Sequence, residues 1–255
     1  MIMRLLGNML AFLSAALVSL ALAILTPISA RAEPAPRVDP PPRQDAPHVD
    51  TPSPRVDTTP APIKIHEVFE VDREGDKIGA TTIDIDRQND VTTVKLATSI
   101  SVKVMFIEAY HYEHASTEIW RSGQLISYKS QTDDNGTKHT VEVGPGSSPD
   151  KLSLTVDGKR SDIAKTFAPA SLWSRDVVNR SDLFQTDNGK RLSIKVKDAG
   201  EETLVVRGVK RQTHHYKISD KTPGEFDRDV WFDGDLLVRM KLLGSDRSTI
   251  VSDLR

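Results

Sequence analysis

Histidine and carboxylate side chains are the groups in this chain that can do chemistry, and their densest cluster is His111-Tyr112-Glu113-His114. Zinc proteases use two histidines and a glutamate that converge from one face of a helix. Here the surrounding pattern is that of a β-strand, in which residues three apart point to opposite faces. His214 and His215 diverge in the same way because they are neighbours on a predicted strand. The sequence therefore predicts no metal site.

Catalytic chemistry finds equally little support. There is no cysteine, so thiol catalysis, zinc–thiolate sites and disulfides are excluded. Most aspartates stand at predicted turns, where their side chains accept hydrogen bonds from nearby backbone N–H groups. No nucleophile elbow, phosphate loop or cofactor motif is present. We predict no catalytic residues, no cofactor and no enzymatic activity. A hydrolase remains an alternative if a serine or aspartate lies beside His111, His114 or His214 in a cleft.

One predicted strand carries an unusual aromatic and polar face. Tyr110, Tyr112, His114 and Trp120 occupy alternate positions and therefore share a face. Such a face lines a ligand cavity, or it packs against neighbouring strands as ordinary cross-strand aromatic pairs do. Both interpretations stay open. If a ligand site exists, we expect these four residues to form it, with Trp173 from a nearby predicted helix.

Period-two alternation dominates the chain from residue 63 onward and indicates β-strands with one buried and one wet face. The clearest strand spans 91–106, where the apolar residues are Val94, Leu96, Ile100, Val102, Val104 and Phe106. Glycine-containing turns separate the strands, including Gly200 between strands at 191–198 and 202–208. The sequence predicts a mainly β protein with about a dozen antiparallel strands in a strongly curved sheet, either a half-barrel or a closed barrel.

Two places in this pattern call for special geometry. Val91 to Ser122 contains no Gly, Pro, Asn or Asp. Fully extended, it would run about 100 Å, far more than the width of one domain, so it must reverse. We expect a wide or bulged bend between Met105 and Ala109, not a two-residue hairpin. One helix is predicted near 169–181, because Pro169 suits a first turn and an apolar stripe follows it.

The N-terminal residues predict export. Residues 1–32 combine Arg4, an apolar run and Ala30-Arg31-Ala32, which is typical of a signal peptide cleaved after Ala32. An uncleaved membrane anchor is the alternative, and only that segment would then contact a membrane. Residues 33–62 hold ten of the chain's fifteen prolines and predict a disordered spacer. Residues 63–255 form a single β-rich domain. Without cysteine, we expect the bacterial periplasm or secretion.

Composition excludes one further class of partner. The net charge is −2, and basic residues do not cluster. Nucleic-acid binding requires a basic patch, so we expect no nucleic-acid partner.

Two hairpins share the pattern Trp-x-x-Gly-x-Leu, one at Trp120 and the other at Trp231. We interpret both as architecture, with each tryptophan packing beside a turn that sets strand register. Together with further segments they resemble a family of exported bacterial proteins of unknown function. The segments are Arg73-Glu74-Gly75-Asp76-Lys77-Ile78-Gly79, 118–128, Pro169-Ala170-Ser171-Leu172-Trp173 and 230–239.

That family is similar in layout to lipoprotein carriers of the LolA/LolB type. The resemblance implies a curved antiparallel sheet with a helix in its concave face, where the carriers hold acyl chains. No acyl-site signature is present in this chain. We expect a non-enzymatic binding or carrier module for an apolar ligand or lipid. The alternative is a structural or interaction protein that binds another protein of the cell envelope and takes no small molecule.

Overall fold

The computed structural model describes residues 61–255, which form fifteen strands in one sheet. The strands are β1 (Ile63–Arg73), β2 (Asp76–Gln88), β3 (Val91–Val104), β4 (Ile107–Arg121), β5 (Gln124–Asp134), β6 (Thr137–Pro145), β7 (Lys151–Val156), β8 (Lys159–Ala164), β9 (Ala168–Pro169), β10 (Asp182–Phe184), β11 (Arg191–Val206), β12 (Val209–Asp220), β13 (Asp227–Asp233), β14 (Leu236–Leu243) and β15 (Thr249–Leu254). The predicted mainly β class is confirmed. The predicted signal peptide (1–32) and nearly all of the spacer (33–62) lie outside the described residues.

Neighbouring strands in the sheet are neighbours in the chain, except where β1 pairs with β15, as in Phe69 opposite Leu254. The two ends of the chain's β region therefore meet in the middle of the sheet. Its outer edges are β8 and β9, which only residues 165–167 separate in sequence. No strand pairing joins those edges, so the sheet is open. Instead, the Arg191 guanidinium on β11 donates to Ser161 Oγ of β8 at 2.7 Å and bridges the seam.

The apolar positions of the alternating strands form one core on one face of the sheet. Val94, Tyr128, Val141, Ile218 and Val230 are each fully buried there. Because alternation puts every second residue on this face, the same strands carry polar residues on the other. Gly200 was predicted to lie in a turn that ends a strand, but it lies within the continuous β11. It pairs with His215 at a bulge, next to Asp198, which pairs with Tyr216. Glycine tolerates its φ of 89° without steric cost.

The predicted helix at 169–181 is wrong. The structure has a five-residue 3-10 helix, Arg175–Asn179, between β9 and β10. Pro169 pairs with Phe184 in the sheet instead of starting a helix, and Leu172 has a φ of 58°, which breaks any right-handed helix. Residues 165–190, called here the interior segment, comprise strands β9 and β10 at one end of the sheet with the 3-10 helix between them and contribute to the core. Their buried side chains include Leu172, Val177, Leu183 and Phe184.

The chain reverses within 105–109, as predicted, and a bulge lies there, because Val102 pairs with Tyr110 and Lys103 with Glu108, which leaves Ala109 unpaired. The prediction that the turn is not a two-residue hairpin is wrong. Met105 and Phe106 form a two-residue turn between Val104 and Ile107. Pairing with β2 stops at Ile100 and pairing with β5 stops at Tyr112. The β3–β4 hairpin therefore extends beyond both of its neighbours. We call its projecting part, residues 102–110, the finger.

Within residues 61–255, none of the helical structure is long and apolar enough to cross a membrane.

Candidate binding site

The four β4 residues predicted to share a face do so, and this face is the core face. His114 and Trp120 are buried, whereas Tyr110 and Tyr112 are half-buried. Between them on the same face lie Ser116 and Glu118, both buried. The row therefore runs along the inner wall of the sheet. The role of its members in ligand binding stays a prediction.

Glu118 links the row to the interior segment. Its Oε2 accepts from Trp120 Nε1 at 2.7 Å and from Trp173 Nε1 at 2.9 Å. The two indole rings meet edge to face, with centroids 6.3 Å apart. The structure thus brings together two of the five predicted site residues, Trp120 and Trp173, on a carboxylate that the sequence analysis did not single out.

Electrostatics at Glu118 are set by its burial. The carboxylate has no exposed surface, and its second oxygen, Oε1, has no hydrogen-bond partner. Burial raises the pKa of Glu118, while donors on Ser171, Trp173 and Trp120 act in the opposite direction. Arg180 lies over the Trp120 ring at 5.2 Å from its centroid. The positive charge beyond the indole favours the ionised carboxylate but does not cancel the effect of burial.

The other predicted residues, Tyr110, Tyr112 and His114, form a separate group nearer the finger. Tyr112 and His114 stack with ring centroids 6.3 Å apart. His114 Nδ1 is 2.9 Å from Thr132 Oγ1, and its Nε2 has no partner. Burial lowers the pKa of His114, which favours the neutral imidazole. The structure therefore divides the predicted site into two groups at different points along β4.

Two cavities flank the 3-10 helix. The smaller has a volume of about 190 Å³, and Trp120, Leu172, Trp173, Val177 and Arg180 are among its lining residues. It is the cavity at which the predicted tryptophans lie. Its volume falls below the range of about 300–1,000 Å³ that is usual for ligand pockets.

The larger cavity, called here the cleft, has a volume of about 560 Å³ and lies between the 3-10 helix and strands β11 and β12. Its lining residues are Arg175, Asp176, Val178, Asn179, Val196, Asp198, Tyr216 and Asp235. Six of these eight side chains are polar or charged, and the two valines supply an apolar wall. Its volume lies within the range usual for small-molecule sites, but its lining is more polar than is usual for them, and the cleft is open to solvent.

Hydrogen bonds hold the polar groups of the cleft in place. Arg175 Nη2 donates to Tyr216 Oη at 2.7 Å. Asp235 Oδ1 accepts from Ser174 Oγ at 3.0 Å and from the Arg175 backbone N–H at 3.1 Å. These bonds tie the 3-10 helix to β12 and to the β13–β14 turn. The cleft is consequently formed before any ligand arrives.

A second pair lies at the edge of the cleft. Asp198 Oδ1 is 2.6 Å from His214 Nε2, and the His214 ring stacks on Tyr216 with centroids 4.6 Å apart. The hydrogen bond from His214 lowers the pKa of Asp198. A carboxylate that fixes a histidine is one part of several hydrolytic sites. Within residues 61–255, however, no serine or threonine hydroxyl is hydrogen-bonded to His214.

Sequence reasoning missed the cleft residues. Asp235 was interpreted as a turn residue, and it does stand in the Gly234–Asp235 turn, but its carboxylate also holds the 3-10 helix. His214 and Tyr216 share a face of β12, a signal that the alternation contained. Across residues 61–255, no group of three histidine, aspartate or glutamate side chains is arranged to hold a metal ion.

Comparison with known proteins identifies the fold and a family but no activity. Residues 69–255 match the family described as domain of unknown function DUF6134. Comparison with curated proteins finds no match to this chain. The chain is similar to a crystal structure of a β-barrel-like protein of another domain of unknown function, DUF1849, from Brucella abortus. The TM-score is 0.56 at 9% identity, covering 76% of this chain and 96% of the other. Neither match supports the lipoprotein-carrier layout.

Proposed function

The chain belongs to the DUF6134 family of domains of unknown function, and we propose from its own cavities that it is an exported, non-enzymatic binding module for a small polar ligand. The observation that carries the proposal is the cleft of about 560 Å³, which is preformed and lined by convergent polar side chains. The bound molecule would lie against the 3-10 helix and the inner face of β11 and β12.

The charges of the cleft define the class of ligand. Three carboxylates line it, those of Asp176, Asp198 and Asp235, against the single guanidinium of Arg175. Arg175 is already bonded to Tyr216 Oη. Each carboxylate already has a partner: Arg180 donates to Asp176 Oδ2 at 2.7 Å, Arg87 donates to Asp235 Oδ2 at 3.3 Å, and His214 lies 2.6 Å from Asp198. Their remaining lone pairs can accept hydrogen bonds from a ligand rich in hydroxyl or amine donors. A sugar-like or amine-bearing molecule with one apolar edge against Val178 and Val196 fits this arrangement.

An apolar ligand or lipid, the expectation from the sequence, has less support. The cavity beside Trp120 and Trp173 measures about 190 Å³, which is small for an acyl chain. The core face beyond it is occupied by the interior segment, whose Leu183 and Phe184 are fully buried. A lipid would have to displace these side chains from the core.

The proposal of export rests on the sequence of residues 1–62. A signal peptide ending at Ala32 would direct the domain to the periplasm or outside the cell. The proline-rich spacer would separate the domain from a membrane or wall. N-terminal sequencing of the protein recovered from the periplasm tests this directly. A new N-terminus at Glu33 is expected. Full-length protein confined to the membrane fraction would favour the uncleaved anchor instead.

A hydrolase is the second candidate, because one observation favours it. Asp198 holds His214 at the edge of the cleft, as a carboxylate orients a general base. With no hydroxyl nucleophile bonded to His214 in the described part of the chain, the pair would have to activate water. Hydrolysis of an ester, amide or glycoside that is abolished by His214→Ala would support this alternative. We therefore propose binding without turnover.

The experiment that tests the binding proposal is recovery of the ligand. The protein is produced with its own N-terminal segment, purified from the periplasm without denaturation and weighed by native mass spectrometry. Val178→Trp, which fills the cleft, is compared with Val205→Trp, which adds the same bulk at an exposed position of β11. A small polar molecule is expected on the wild type and on Val205→Trp but not on Val178→Trp.

Two other results would overturn the proposal. A lipid bound equally by all three proteins would instead support the binding of an apolar ligand or lipid. No small molecule on any of them, and no change in melting temperature with added sugars or amines, would favour a structural or interaction protein of the envelope.

A further inference from the structure

The finger extends beyond both of its neighbouring strands in the sheet. β2 leaves β3 after Ile100, and β5 leaves β4 after Tyr112. From Ile100 to the turn at Met105 the hairpin advances about 15 Å at the usual rise of a strand. Only its own two strands pair along this length, down to Val104 opposite Ile107. The finger is thus a narrow, convex projection from one end of the sheet.

The tip of the finger is apolar and almost wholly exposed. The exposed fractions are 84% for Met105, 101% for Phe106 and 72% for Ile107. Single exposed apolar residues are ordinary on a protein surface, but three consecutive ones at a turn form a patch. In water, this tip gives up the burial that such side chains usually gain on folding.

The backbone of the turn is also unfavourable for these residues. Met105 and Phe106 have φ values of 50° and 72°, in the left-handed region. Residues with bulky side chains rarely adopt it, and two-residue turns prefer Asn-Gly or related pairs. The other two-residue turns of the described sheet follow this preference, since each contains a glycine or an asparagine: Glu74–Gly75, Asn89–Asp90, Ser122–Gly123, Asn135–Gly136, Asp157–Gly158, Arg207–Gly208 and Gly234–Asp235.

The tip combines backbone strain with exposed apolar side chains, and the other two-residue turns of the described sheet instead contain a glycine or an asparagine. This combination indicates that the tip has a binding role. We propose that the finger inserts Met105, Phe106 and Ile107 shallowly into the surface of a lipid bilayer. The sequence alone predicts membrane contact only through the N-terminal segment. The finger supplies a second contact, on the folded domain itself, and it is separate from the cleft.

A bilayer fits the tip better than a protein partner does. The three apolar side chains stand at the turn itself, and each is largely exposed, so no part of the protein covers any of them. A groove on a protein would use one face, whereas the bilayer interior surrounds the tip on all sides. The contact area is also small. A stable protein interface buries about 800 Å² on each partner, which three side chains on a narrow convex hairpin do not provide.

Polar groups follow directly behind the tip. Lys103 is paired opposite Glu108, Ser101 Oγ donates to Glu108 Oε2 at 2.7 Å, and His111 lies 3.7 Å from the same carboxylate. A band of polar and charged groups within a few residues of an apolar tip matches the boundary between acyl chains and headgroups. The band limits insertion to the turn.

The test uses a tryptophan as a local reporter in the otherwise intact chain. Phe106→Trp places it at the tip, and Ile107→Trp gives a second tip reporter with the turn residues unchanged. Val209→Trp is the matched control, because Val209 is exposed at the end of the β11–β12 hairpin. Each protein is mixed with vesicles of phosphatidylethanolamine and phosphatidylglycerol, with and without bromine on the acyl chains. The wild-type emission is subtracted.

Vesicles are expected to shift the emission of both tip reporters to shorter wavelength, and brominated chains to quench them several-fold more than the Val209→Trp reporter. The comparison holds even if the N-terminal segment anchors the protein, because all three variants carry it. Equal quenching of tip and control, or no quenching of either tip reporter, would overturn the proposal. A tip shift that needs an added envelope protein and is insensitive to bromine would identify a protein partner and would overturn it as well.

Discussion

Trp173 donates its indole N–H to Glu118 Oε2 at 2.9 Å, the same oxygen that Trp120 contacts at 2.7 Å. The first bond crosses from the interior segment to the sheet wall, whereas the second stays within β4. Because the carboxylate is fully buried, both bonds form away from water, where an unpaired partner is costly. The interior segment is thus fixed to the sheet by a polar contact as well as by apolar packing.

Trp173→Phe removes the bond that crosses to the sheet. We expect the free energy of unfolding to fall by about 1–3 kcal/mol, because the buried Glu118 loses a donor that water cannot replace. Trp231→Phe is the matched control, since the Trp231 indole donates at 2.7 Å to Glu202, a half-exposed carboxylate. The free energy of unfolding should fall less in Trp231→Phe than in Trp173→Phe. Denaturant unfolding of both variants measures the difference, and equal losses would argue against a special role for the buried pair.

Glu118→Gln tests the effect of burial on titration. Burial raises the pKa of Glu118 above its ordinary value of 4.5. The stability linked to this group is therefore fully present below pH 4.5 and is lost as the pH rises through the folded pKa. Glutamine keeps an acceptor oxygen but does not ionise. In urea unfolding, the variant should gain stability relative to wild type as the pH rises above 4.5. A difference that does not change with pH would contradict this assignment.

Met105→Asn with Phe106→Gly places favoured residues in the left-handed turn of the finger. Because the native pair is both exposed and strained, the double variant should be more stable by about 1 kcal/mol. Thermal unfolding measures the change. Gly136→Ala, at a turn whose φ is 92°, provides the opposite control and should destabilise. If the double variant has a lower melting temperature than wild type, Met105 and Phe106 stabilise the fold, and the turn of the finger is not strained.

Arg191→Ala tests the open seam. Arg191 donates to Ser161 Oγ and, at 3.3 Å, to the Asp162 carbonyl, whereas no strand pairing joins β8 to β9. We expect faster amide hydrogen exchange in Lys159–Ala164 with little change in β5, because only the edge strand loses a contact. Arg211→Ala, which removes an exposed pair with Asp233, should leave β8 unchanged. Unaltered exchange in β8 would mean that Arg191 does not secure this edge.

Alternation of apolar residues was enough to predict most of the strands, because each of them buries one face. The sequence predicted about a dozen strands, whereas the structure has fifteen, and β8, β9 and β10 were missed. Its failures have local causes. Gly200 predicted a turn, but glycine also suits a bulge, and only the pairing of β11 with β12 decides between them. The helix at 169–181 failed because Pro169 and the apolar stripe are equally compatible with a short strand and a buried 3-10 turn. Packing against the core favours the short strand and the 3-10 turn over the helix, and no local sequence pattern records that packing.

The candidate site shows the same division. Parity on β4 correctly placed Tyr110, Tyr112, His114 and Trp120 on one face. It did not show that Glu118 on that face would be the acceptor for Trp173. The cleft depends on contacts between distant segments, such as Arg175 with Tyr216. Single-sequence patterns report spacing along the chain, so they could not bring these residues together.

The central claim is that the cleft binds a small polar molecule, and methyl NMR tests it most directly. With ¹³C-labelled valine methyl groups, Val178 and Val196 report on the cleft, whereas the fully buried Val94 and the exposed Val209 report elsewhere. Sugars and amines are added singly, and vesicle-free lipid is added in a parallel series. We predict saturable shifts of Val178 and Val196 with a hydroxyl- or amine-rich compound, and none at Val94 or Val209. No shift at either cleft valine with any polar compound, together with shifts on adding lipid, would contradict the account.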